Sequence, residues 1–169
     1  VWVSDDSKTI VAGTAGYTTR ESDTLRSHSL YVSYDAGQTF EKLMQPENVM
    51  IHDSKMNGLV ASRYDYDGTY LYVTMNVTGR WNYVVDLGYS CDSGDVIGGK
   101  VLRYYFSDGK IAGYDDITPD ADGTLTAEFL NYGFGGISSC KTMPGLLVCS
   151  TLCREKESDE IVYLSKDYG

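Results

Sequence analysis

Two aspartates in this chain recur in the same setting. Ser33-Tyr34-Asp35-Ala36-Gly37-Gln38-Thr39-Phe40 follows the pattern S-x-D-x-G-x-T-aromatic, and Ser165-Lys166-Asp167-Tyr168-Gly169 repeats its first five positions. A pair of carboxylates is the usual equipment for general acid and base catalysis. The same residue types also build a turn. A short carboxylate accepts hydrogen bonds from nearby backbone N–H groups, and glycine supplies a backbone angle that other residues resist. The aromatic residue at the eighth position, Phe40, is then free to pack as the next strand begins.

A second chemistry-bearing segment runs from Asn76 to Tyr89. Trp81, Tyr83 and Tyr89 offer aromatic faces for the apolar side of a sugar ring, and Arg80, Asn82 and Asp86 offer polar groups for its hydroxyls. A connection this long is often functional. The competing reading is a loop whose aromatics fold back as an anchor. His52, next to Asp53, is a further candidate for a sugar hydroxyl, against a hydrogen-bonded structural role. His28 and His52 are too far apart for metal-ligand spacing. Tyr132-Gly133-Phe134-Gly135-Gly136 reads either as a cleft floor approached closely by ligand or as tight backbone packing. No helix or Lys-Ser/Thr follows it, so it is not a phosphate loop. Asp115, Asp116, Asp120 and Asp122 hold the oxygen donors that calcium prefers but lack EF-hand spacing, leaving a solvated acidic turn as the plainer account. No G-x-S-x-G nucleophile motif occurs.

The elements that position these residues are strands. β-Branched and aromatic runs with period-2 patterning are bounded by Gly, Asp, Asn and Pro. Val1-Trp2-Val3 is strand-like, and strands are expected at 9–13, 29–33, 59–62, 70–74, 100–106, 137–140, 146–151 and 161–165, with no helix. They group into repeats of about 40–50 residues, each a small antiparallel sheet, which is the propeller pattern. The expected fold is all-β: a partial propeller over residues 1–169 with four-stranded blades at about 1–45, 57–119 and an incomplete 132–169. A loop of some 25 residues between Thr74 and Lys100 lengthens the second blade. Closed propellers have about 4–8 blades, so the chain is expected to be part of a larger ring, trimmed at both ends. A β-sandwich with long loops accounts for the strands but not for the recurring motif.

Formal net charge is −10, which argues against a nucleic-acid partner, since phosphate binding needs clustered Lys and Arg. No apolar run approaches the roughly 20 residues that span a bilayer, so no membrane partner is expected. The four cysteines, Cys91, Cys140, Cys149 and Cys153, lack zinc-site spacing. Cys140 and Cys149 lie symmetrically about Pro144-Gly145. A hairpin turning there would let them form a disulfide; two packed thiols are the alternative.

The eight-residue motif is similar to the Asp-box. Several further segments follow in a telling order: Gly98-Gly99-Lys100-Val101-Leu102-Arg103-Tyr104, then Asp116-Ile117-Thr118-Pro119, then Tyr132-Gly133-Phe134-Gly135-Gly136-Ile137. The Pro144-Gly145 turn, the strand from Leu146 to Leu152 and the second motif complete the series. Together with Ile51-His52-Asp53 and Tyr70 to Thr74, this order closely resembles the N-terminal propeller of the xyloglucanases of glycoside hydrolase family 74. The resemblance implies a secreted hydrolase of β-1,4-glucan backbones, acting on plant cell-wall polysaccharide, with a second propeller domain in the same full-length chain. It implies inversion by two aspartates, both outside this segment, and calls for no cofactor. It places Ser33, Asp35, Gly37, Thr39, Phe40, Ser165, Asp167 and Gly169 on the outer rim as structural residues, and turns the segment holding Trp81, Tyr83, Asp86 and Tyr89 toward the cleft. Cys140 stands where the family often has Asp, residues 20–28 form an extra polar stretch, and the Gly-Pro-Tyr-Asp run expected in the long loop is missing. Two other readings of Asp-box propellers remain: a non-catalytic binder of carbohydrate or protein, and a sialidase-like exo-glycosidase. The scattered arginines and the missing Arg-Ile-Pro signature weigh against the second.

Overall fold

A computed structural model describes residues 1–14, 29–46, 59–78, 96–119, 133–152 and 162–169. All regular structure among them is β. The strands are β1 (Trp2–Val3), β2 (Ile10–Thr14), β3 (Ser29–Ser33), β4 (Glu41–Lys42), β5 (Leu59–Tyr66), β6 (Tyr70–Thr78), β7 (Val96–Ser107), β8 (Lys110–Asp116), β9 (Gly133–Ser139), β10 (Leu147–Leu152) and β11 (Val162–Ser165). They form three open antiparallel sheets with orders β1-β2-β3-β4, β5-β6-β7-β8 and β11-β10-β9. Each sheet is a sequential meander, the arrangement of a propeller blade. The expected all-β fold of three blade-like sheets is therefore present.

The chain divides into two compact units, Val1–Ala61 with Val77–Asp95, and Ser62–Asn76 with Val96–Gly169. The first unit contains the first sheet. Its face bearing Val11, Leu30 and Val32 is buried, because Val11 and Val32 stand opposite each other in the β2–β3 register and Leu30 lies two residues before Val32. The second unit holds the third sheet and most of the second. Its core joins Val101 of β7 to Phe134 of β9 and Cys149 of β10, with Ile117 and Ile137 packed alongside. Burying a side chain the size of Val or Phe contributes about 1.5–3 kcal/mol.

In β6, Leu71, Tyr72, Val73, Thr74 and Met75 are buried in succession. Period-2 alternation sends neighbours to opposite faces, so this strand is covered on both. The Tyr72 hydroxyl donates to Asp67 Oδ2 at 2.8 Å; burial, and then the Asp67 carboxylate, push its pKa up.

The meanders share one asymmetry. In each sheet the first-to-second connection is a short turn at one end, joined there by the third-to-fourth connection in the two four-stranded sheets. The second-to-third connection lies at the other end, as does the exit of the fourth strand in those two sheets. Segments 15–28, 79–95 and 153–161 join second to third strands, and segments 47–58 and 120–132 leave the fourth. The stretch Asn76–Thr78, expected in the long loop, belongs to β6, and β7 begins at Val96 rather than Lys100, so the connection spans 79–95. Two strands beyond the sequence expectation appear, β4 and β8. In β8 Gly113 faces Tyr105 across the ladder, and a Cβ there would meet the Tyr105 phenol ring.

The Cys140–Cys149 disulfide does not form: both thiols are free. The β9–β10 ladder pairs Leu147 with Ser139 and Cys149 with Ile137, while the Cys140 N–H donates to Leu146 O at 3.2 Å. The hairpin is centred before Pro144-Gly145, which moves Cys140 away from Cys149. Burial pushes the Cys149 thiol up to about 12, as befits a packed, unreactive group.

Candidate functional site

The two Ser-x-Asp-x-Gly turns occupy the same place in their sheets, directly after the third strand. In the first, the Ser33 hydroxyl donates to Asp35 Oδ1 at 2.7 Å and accepts from the N–H groups of Asp35 at 3.3 Å and Gly37 at 2.8 Å. Thr39 adds two donors, its N–H to Asp35 Oδ1 at 2.8 Å and its hydroxyl to Oδ2 at 2.6 Å. The Ala36 N–H reaches back to Lys8 O of the neighbouring turn at 3.0 Å. Ala36 and Gly37 have φ of 57° and 85°, and glycine is the residue that adopts such values without strain.

The second turn repeats this wiring. The Ser165 hydroxyl donates to Asp167 Oδ1 at 2.8 Å and accepts from the N–H groups of Asp167 at 3.2 Å and Gly169 at 2.7 Å. The Tyr168 N–H reaches back to Gly145 O at 3.1 Å, and Tyr168 and Gly169 have φ of 72° and 123°.

These hydrogen bonds decide what Asp35 can do. The Thr39 hydroxyl first, then the Thr39 N–H and the Ser33 hydroxyl, hold its carboxyl down at about 2. A general acid must carry a proton near working pH, and Asp35 does not. It serves as the acceptor that fixes the turn. The aromatic position differs from expectation: Phe40 is 48% exposed, although its ring edge lies near Gly37.

Other described carboxylates are engaged in the same way. Asp67 Oδ1 takes the N–H groups of Thr69 at 2.7 Å and Tyr70 at 2.8 Å. Asp65 Oδ2 accepts from the N–H and, at 2.8 Å, from the hydroxyl of Ser139, tying β5 to β9. Asp115 pairs with Arg103 at 2.9 Å and Asp116 with Lys100 at 2.7 Å. Although burial opposes it, Lys100 and Thr118 hold the Asp116 carboxyl below its ordinary value. No group of three or more metal-ligating side chains occurs among the described residues. Asp120 and Asp122 lie outside them.

Arg103 is a junction that the sequence reading missed. Its guanidinium donates to Asp115 and to Tyr168 O at 3.0 Å and lies over the Tyr70 ring at 5.1 Å. Tyr70 in turn meets Tyr168 edge-on, with centroids 5.3 Å apart. The partners are up to 65 residues apart in sequence, so no local pattern signals them. The segment at Gly133 is a strand, and a Cβ on Gly136 would lie 2.9 Å from Ser150 Oγ, which favours tight packing over a cleft floor.

The candidate sugar-binding residues lie outside the described residues: Trp81, Tyr83, Asp86 and Tyr89 in segment 79–95, His52 in segment 47–58. Their attachment points are described. Segment 79–95 connects β6 to β7, and segment 47–58 follows β4 and leads into β5. In each sheet this is the end remote from the short turns. Comparison with protein-family models gives no match, and comparison with curated proteins gives none.

Proposed function

We propose that this chain is part of a secreted Asp-box propeller hydrolase of the xyloglucanase type, cleaving β-1,4-glucan backbones with inversion through two aspartates outside the segment. The observation that carries the reading is the division of labour within each sheet. Carboxylate-fixed turns occupy one end, and the connections holding Trp81, Tyr83, Asp86, Tyr89 and His52 leave from the other. Recognition loops on a rigid scaffold follow this plan, and the order of the segments from Gly98 to Gly169 supports the family. Inversion needs two carboxyl groups about 6.5–9.5 Å apart with room for water. The engagement of Asp35 by Thr39 within its turn supports reading it as structural and outside that pair.

The longer protein carrying this segment is expected to release reducing ends from xyloglucan, and the 169-residue chain alone none. Absence of release from xyloglucan and other β-1,4-glucans by the longer protein sinks the reading. Trp81→Ala is expected to weaken oligosaccharide binding in that protein; unchanged affinity in Trp81→Ala, Tyr83→Ala and Tyr89→Ala alike removes the aromatic segment from the site. The engagement of Asp35, Asp65, Asp67, Asp115, Asp116 and Asp167 in turns, seams and ion pairs favours one alternative, a propeller that binds carbohydrate or protein without turnover. Retardation in a xyloglucan gel without hydrolysis by the longer protein supports it.

A further inference from the structure

We draw no further inference here: the strongest candidate, the exposed apolar face of the third sheet that carries Val162 and Leu164 on β11, carries nothing because nothing in the structure shows what covers it.

Discussion

The turn at Ser33 and the turn at Ser165 begin alike, and each has a further contact of its own. In both, the serine hydroxyl bridges its aspartate and two backbone N–H groups, and the residue after the aspartate takes a positive φ. The first turn then closes on itself, because Thr39 supplies two donors to Asp35. The second is held from outside: Arg103 donates to the Tyr168 carbonyl, and the Tyr70 ring meets the Tyr168 ring. Among the described residues, Thr39 closes a hydrogen-bond ring on the first turn, and Arg103 clamps the second to the sheet beside it.

The sharpest way to break this comparison is at the clamp. Arg103→Met is expected to cost about 2 kcal/mol, from the loss of charged hydrogen bonds that are only partly exposed. Hydrogen exchange should rise at Tyr168 and Gly169 and stay unchanged at Gly37 and Thr39. Equal loosening of both turns would mean that the distinction between them is false. Gly145→Ala should cost about 1–2 kcal/mol, because Gly145 has φ of 89° and its new Cβ would lie 2.9 Å from Lys166 O; thermal unfolding measures it.

Asp35→Ala is expected to lower the melting temperature, since Asp35 accepts from the Ser33 hydroxyl and from the N–H and hydroxyl of Thr39. An unchanged melting temperature would remove Asp35 as the anchor of its turn. Acid titration sharpens the same point. Asp35 has a folded pKa of about 2, below its ordinary 3.8. Its contribution is therefore present above about 4 and is lost as pH falls toward 2. Exchange at Thr39 should rise across that window, and the rise should be absent in Asp35→Ala. Thr39→Val, which removes the hydroxyl and keeps the N–H, should give the smallest effect, below about 1 kcal/mol.

Strand positions were legible wherever apolar alternation was regular. Ser29–Ser33 falls at the expected residues, and the strands beginning at Leu59 and Tyr70 start where expected and run further. The two-residue β4, Glu41–Lys42, is exposed and has no apolar pattern to read. β8 was hidden by Gly113, whose presence makes sense only once Tyr105 lies across from it. The hairpin centre failed for a related reason. Pro144-Gly145 marks a turn, but the register follows the ladder that seats Leu147 and Cys149 on the buried face, and this places Cys140 beside Leu146. Asp35 was readable as a turn residue because its partners lie within six positions. Arg103 was not, because its contacts depend on how two sheets meet. For the candidate sugar-binding residues, the sheets give only the end from which their segments depart.

That two-ended layout sets how freely the chain can vary. Asp67-Gly68 and Asp108-Gly109 join adjacent strands directly, so one inserted residue there would slip the ladder and turn a whole strand inside out. An insertion within 79–95 moves no ladder, because β6 and β7 are complete before and after it. The second sheet thus separates a turn-side grammar fixed by its ladders from an editable margin, where a new specificity can be grafted without rebuilding the framework beneath it.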